Sequence, residues 1–272
     1  MRNIHSAIYY LKNREYLTPN YIRLTLENDN LEAIRNSTLG VNNKIFIAPK
    51  AIEKVHIPEF DFEKMEWTPM PEHLKPHVRT YTHRGINFEK NEIYLEFVAH
   101  GDEGPASDFA IHAPIGSELG ISMHAEPKSL YPEVEDYLLV GDATAIPVLA
   151  CILESLPENA KVHVIIEVIS AEDVQKITTK AQATFEWLIN PTPGQNSFLA
   201  ARTKLYVDDM NPNSRFAYVA AEFSSVKEIR NYLRKEKQWT KDELDAYSYW
   251  KFGKSETGSE NERRAELAEK EM

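Results

Sequence analysis

Val78–Arg84 reads VRTYTHR, and Ala99–Ala110, a short distance on, reads AHGDEGPASDFA. Leading into the second stretch, Ile93 to Ala99 alternates apolar and polar residues, which predicts a half-buried β-strand. The chain leaves that strand through Gly101 and Gly104 and enters a segment opened by Pro105 and Ser107. Both residue types suit the first turn or cap of a helix. A helix start offers unpaired N–H groups and the positive end of the macrodipole, so it can receive a phosphate. Arg79 adds an always-charged, bidentate phosphate partner. Tyr81 adds a flat ring that can stack on an aromatic cofactor, and Thr82 a hydroxyl that donates or accepts. Phosphate charge, a flat ring and a hydrogen-bonding edge together describe a flavin nucleotide. Taken singly, Arg-x-Tyr-Thr is a strand with a polar face and Gly-x-x-Ser an ordinary turn; their succession carries the reading.

The surrounding composition narrows the classes. The chain has 272 residues, 42% hydrophobic and 27% charged, enough for one large domain or two ordinary ones. A net charge of −11 argues against broad binding to nucleic acid or anionic membrane, so an anionic ligand needs a local basic pocket. The single cysteine, Cys151, rules out an intrachain disulfide and points to a reducing compartment; its apolar neighbours mark it as a buried structural thiol. The first twenty residues lack the apolar core of a signal peptide, and no run is long enough to span a membrane. The cytoplasm is the expected location, and no metal site is expected.

Before the opening motif, Ile22, Leu24 and Leu26 alternate with Arg23, Thr25 and Glu27, predicting a strand within 16–27. Lys44 to Ala48 predicts another, and Pro58, Pro69, Pro71 and Pro76 mark a long loop after it. With strands over 78–83, 92–99 and 117–122, the first part reads as a small antiparallel barrel. Texture changes near Pro127–Pro132. Strands are then expected over 137–140, 161–168, 184–189, 216–221 and 247–252. An apolar helix runs to about Leu156, and a short helix presents Val174, Ile177 and Ala181. Ser225 with Glu228 reads as a capping box opening a helix through Lys235, and Thr240 with Glu243 repeats it. Alternating strands and helices predict a parallel sheet covered on both faces. No Gly-x-Gly-x-x-Gly occurs, yet ligands of such sheets bind beyond the carboxyl ends of the strands, where Gly141–Thr144 and Ala221–Ser224 lie. The expected division is 1–127 for the barrel, 128–253 for the α/β domain and 254–272 for a charged tail rich in helix formers.

Arg79–Thr82, the His100–Ser107 run His-Gly-x-x-Gly-Pro-Ala-Ser and the Gly141–Pro147 run Gly-Asp-x-Thr-Ala-x-Pro together resemble the siderophore-interacting protein family, ferric-siderophore reductases related to ferredoxin–NADP reductases. The resemblance runs from about residue 16 to 253. His83 stands where an aliphatic residue is usual, Phe109 where a tryptophan is, and Ala143 where an acid is. The resemblance implies an antiparallel β-barrel that binds FAD, followed by a ferredoxin–NADP reductase-like α/β domain for NADH or NADPH. It implies FAD contacts from Arg79, Tyr81, Thr82, Val98, His100, Gly104, Ala106, Ser107 and Thr144. For the nicotinamide donor it implies Asp142, Thr144, Glu167, Ala221 and Glu222. Glu167 ends a strand and no arginine follows in 169–174, which favours NADH over NADPH. A ferric siderophore, catecholate or hydroxamate, is the implied substrate, with Lys44, Lys128 and Lys251 as its basic contacts. The iron is cargo, and no protein metal ligand is expected. The competing readings are a ferredoxin-fed reductase, a general flavin reductase and a non-enzymatic siderophore carrier. A tail that lies across the donor's entrance is a further expectation.

Overall fold

The structure is a computed structural model that describes residues 4–61, 64, 66–101 and 104–254. It divides into two compact units, Met1–Ser129 and Leu130–Met272.

The first unit holds β1 (Ile4–Thr18), β2 (Tyr21–Glu27), β3 (Asn42–Ile47), the short pair β4 (Phe60–Asp61) and β5 (Glu66–Trp67), β6 (His77–Thr82), β7 (Gly85–Asn87), β8 (Glu92–Val98), α1 (Pro105–His112) and β9 (Glu118–His124). Seven strands form one antiparallel sheet in the order β6-β3-β9-β1-β2-β8-β7. Period-2 alternation turns Ile22, Leu24 and Leu26 of β2, Ile93, Leu95 and Phe97 of β8, and Leu119, Ile121 and Met123 of β9 onto one core. The sheet curls until Tyr81 on the edge strand β6 packs on Phe97 of β8, with ring centroids 4.2 Å apart. That contact closes the barrel through side chains. The long β1 escapes the alternation rule because register shifts fall at Leu11/Asn13 and Tyr16/Thr18, so its inward phase slips. At the middle of β9, Gly120 has no space for a side chain: a Cβ there would stand 2.9 Å from Ile57 and 3.0 Å from Phe46.

The second unit holds β10 (Asp136–Asp142), α2 (Ile146–Ser155), β11 (Lys161–Val168), β12 (Gln182–Ile189), α3 (Leu199–Tyr206), β13 (Arg215–Glu222), α4 (Phe223–Asn231) and β14 (Leu244–Trp250). The five strands are all parallel, ordered β12-β11-β10-β13-β14. Central strands read as continuous apolar runs because both faces are covered. Cys151 is buried in α2. At the tight end of β10, a Cβ on Gly141 would come within 2.5 Å of Ala145 and 2.9 Å of the Ala220 carbonyl.

Two local expectations are corrected. Residues 174–181 form no helix: Val174 is exposed, and Thr179 Oγ1 donates to the Leu153 carbonyl at 2.6 Å, drawing the segment along α2. The helix expected from Ser225 begins earlier, because the Glu222 side chain accepts the Ser224 N–H at 2.6 Å and caps it; Ser225 is buried inside α4. The Thr240/Glu243 capping box is present, on a 3-10 turn. Residues 255–272, which carry the expected tail, lie outside the described residues.

Candidate functional site

In the first unit the expected cofactor residues lie on β6, at the end of β8 and at the α1 start. Arg79 and Tyr81 share one face of β6, opposite Ile45 and Asn43 of β3. The Arg79 guanidinium donates to the Val78 carbonyl at 2.8 Å. Thr82 is buried at the end of the strand. Through Phe97, Tyr81 reaches the end of β8, where Val98 leads to His100. The His100 backbone N–H donates to Ser107 Oγ at 3.2 Å, which ties the first turn of α1 to the strand it follows. Gly101 has φ +87°, a left-handed conformation that glycine adopts without strain. A Cβ on Gly104 would stand 3.2 Å from the His100 ring, so Gly104 passes tightly by the imidazole.

These residues suit an FAD pyrophosphate. No described side chain caps α1 at Gly104, Pro105 occupies the first turn, and Ala106 and Ser107 are small and buried. The helix start therefore presents backbone donors, with Arg79 as the cation of the same unit.

His83, just past β6, is fully buried, and burial pushes its imidazole down to about 4. The neutral form is the one that folds. The unfolded chain takes up a proton below its ordinary value of 6.5, so stability is lost as pH falls through the window between 6.5 and about 4. From about pH 7.5 to about pH 5 this group alone is expected to remove about 2 kcal/mol. His83→Leu should flatten that slope in urea unfolding at the two pH values; an equal acid loss in wild type and variant would refute the assignment.

In the second unit, Asp142, Thr144, Ala221 and Glu222 gather at the carboxyl edge of the sheet. Asp142 Oδ1 accepts the Thr144 N–H at 2.9 Å and its hydroxyl at 2.5 Å. Its Oδ2 accepts the Glu222 N–H and the Trp250 indole, both at 2.8 Å. Burial raises the Asp142 carboxyl, and these hydrogen bonds oppose the rise. Glu222 Oε2 accepts from Ser224 and Oε1 from the Phe252 N–H at 3.2 Å. Glu167 pairs in register with Asp142 across β10 and β11. Its carboxylate accepts from Asn190 Nδ2 at 3.0 Å, Ser197 Oγ at 2.9 Å and the Phe198 N–H at 3.1 Å. A ribose hydroxyl reaching Glu167 therefore competes with the loop after β12. Asn190, Ser197 and Trp250 were not singled out from sequence. Their shared signal is only a polar or aromatic side chain at a strand end, common throughout the chain.

The three lysines differ in setting. Lys44 Nζ donates to Thr80 Oγ1 at 2.8 Å on the outer side of the β3–β6 pair. Lys128 is exposed, and its backbone N–H donates to Thr38 Oγ1 at 2.9 Å. Lys251 Nζ stands 4.5 Å from the Phe223 ring centroid. His73 and His77, four residues apart, fall on a 3-10 turn and the first residue of β6. No group of three or more His, Cys, Asp or Glu among the described residues is placed to hold a metal. No helix among them is long and apolar enough to cross a membrane.

An antiparallel barrel-like sheet followed by a parallel α/β unit is the ferredoxin–NADP reductase-like fold. A ferredoxin–NADP+ reductase from Neisseria gonorrhoeae, solved with FAD and NADP, has the same fold at TM-score 0.61 and 11% identity, covering 89% of this chain and 98% of that one. The chain belongs to the siderophore-interacting proteins: residues 10–127 match the siderophore-interacting FAD-binding domain and residues 134–253 the siderophore-interacting protein domain. It is 31% identical over 256 residues to ferric vibriobactin reductase ViuB of Vibrio cholerae, covering 94% of this chain and 93% of that protein. The siderophore-interacting protein SipS of Aeromonas hydrophila shares the fold at TM-score 0.81 and 24% identity, covering 98% of this chain and 99% of that one.

Proposed function

We propose that this protein is a cytoplasmic FAD-dependent reductase of ferric siderophores that releases iron as Fe(II). The observation carrying this reading is the joining, through Tyr81 and Phe97, of the Arg79–Thr82 strand to the segment that opens α1. In this reading Arg79 and the first-turn amides of Ala106 and Ser107 hold the pyrophosphate. Tyr81 lies against the flavin ring system, Thr82 offers its hydroxyl to the N5 edge, and Val98, His100 and Gly104 shape the loop. When bound, FAD supplies the conversion of a two-electron donor into single electrons for Fe(III). Catecholate and hydroxamate oxygens hold Fe(III) more firmly than Fe(II), so reduction loosens the iron and no protein ligand to it is needed.

Thr144, Ala221 and their neighbours at the carboxyl edge of the second sheet receive NADH or NADPH. The acid at the end of β11 favours the unphosphorylated ribose of NADH. A stopped-flow comparison of NADH, NADPH and reduced ferredoxin identifies the donor; fastest flavin reduction by NADPH or by ferredoxin refutes the NADH preference.

Lys44, Lys128 and Lys251 each lend positive charge to an anionic ferric complex on a chain that is acidic overall. Replacing all three by Ala should raise KM for an anionic ferric siderophore and flatten its dependence on ionic strength. An unchanged KM and salt response would remove them from the site. The broader reading is tested by titrating the purified protein with FAD and following its visible absorbance and flavin fluorescence. Saturable binding supports it; absence of binding leaves the siderophore-carrier reading.

A further inference from the structure

We infer that Arg14, on β1, is a positioning residue for the cofactor: it anchors the far end of α1 and so aims the helix's N-terminus at the FAD pyrophosphate. The inference rests on the FAD reading given above. The guanidinium of Arg14 gathers the carbonyls at the last turn of α1. Its Nε donates to the Ala110 carbonyl, and its Nη2 to the Ala113 carbonyl at 2.6 Å and to the Phe109 carbonyl at 3.5 Å.

The Ala113 N–H already closes the helix on the Phe109 carbonyl at 3.0 Å, while the later carbonyls of a helix end have no partner within it, so a fork of N–H donors at their mouth satisfies them and complements the negative end of the dipole. Eight residues make α1 only about 12 Å long, so its hold on the barrel is short and its ends fix its direction. Ser107 ties the first turn to the end of β8, as described. Arg14 ties the last turn to β1, ninety-six residues away from Ala110 in sequence. Ala106 and Ala110 lie on the buried face between these ties. Together with Phe109 and Ile111 they seat the helix on the barrel core, and the two polar anchors fix its ends. Asp108 in the first turn adds negative charge near the phosphate end, which makes the direction of the amides matter more.

The test titrates full-length apoprotein with FAD and, separately, with riboflavin, which carries no phosphate. Wild type, Arg14→Ala, Arg14→Lys and Arg79→Ala are compared, with near-ultraviolet circular dichroism and thermal melting as checks on the fold. Arg14→Ala is expected to weaken FAD about tenfold, equivalent to about 1.4 kcal/mol. Arg14→Lys, which keeps the charge without the fork, should recover part of that loss. Riboflavin affinity should stay unchanged in both, a selectivity that general loss of structure does not produce. If Arg14→Ala fails to fold, the ratio of FAD to riboflavin affinity in Arg14→Lys decides. Wild-type FAD affinity in the Arg14 variants, or equal loss for FAD and riboflavin, overturns the inference while leaving the FAD reading intact. Wild-type protein that ignores FAD overturns both.

Discussion

Arg79→Ala is expected to purify with substoichiometric FAD and to rebind it ten- to hundredfold more weakly, the loss of about 1.5–3 kcal/mol that follows removal of a charge-assisted phosphate contact. The size follows from the setting. Arg79 sits on an edge strand whose partner residues on the same face are Ile45 and Asn43, so no other cation is paired beside it in register. The helix start can supply amide donors and a partial charge, but only the guanidinium supplies a full one. Arg79→Lys should fall between, since a point charge replaces the planar fork. The measurement is the flavin-to-protein ratio on purification, followed by a fluorescence titration of apoprotein. Full retention of tightly bound FAD by Arg79→Ala would remove Arg79 from the pyrophosphate site.

A second large effect is expected at Asp142, this time on stability. Its two oxygens accept from Thr144, Glu222 and Trp250, which join the ends of β10, β13 and β14. Asp142→Ala strands these donors around a buried side chain. Each buried donor left unpaired costs about 1–3 kcal/mol, so a loss of about 3–5 kcal/mol and a fall of roughly 10 °C in Tm are expected. Trp250→Phe, which deletes one donor and leaves the carboxylate three others, should cost about 1 kcal/mol. Chemical unfolding of both variants measures this. An Asp142→Ala protein as stable as wild type would show that the carboxylate is kept for ligand binding alone.

Sequence alone made the two architectures legible where local chemistry and tertiary packing agree. Lys161–Val168 carries Val162, Val164, Ile165, Ile166 and Val168 and is a strand with those same ends. β2 and β8 alternate cleanly because one face of each meets the core. β1 was hidden because its register shifts break the alternation that marks a strand. The stretch after β11 misled because Val174, Ile177 and Ala181 have helical spacing, yet Val174 stays exposed and the Thr179 hydroxyl bonds the Leu153 carbonyl of α2 along an extended segment. Glu222 was read as a donor contact, and its capping of α4 was not visible, since Ser225 and Glu228 imitate a capping box three residues later. The candidate site residues stood out as motifs because a phosphate cradle, the role proposed for them, would need glycines and small residues in sequence. Arg14 and Asn190 were not, since their partners are distant in sequence or defined only by the fold.

The central claim, that this chain passes electrons to a siderophore-bound iron, is tested most directly by a single-turnover experiment without oxygen. Protein loaded with FAD is reduced, separated from excess reductant, mixed with a ferric tris-catecholate, and followed by flavin reoxidation and by trapping of Fe(II) with a ferrous chelator. The account predicts that the flavin reoxidises as Fe(II) appears, with two Fe(II) formed for each two-electron-reduced flavin. Flavin that stays reduced while the ferric complex remains intact would contradict it.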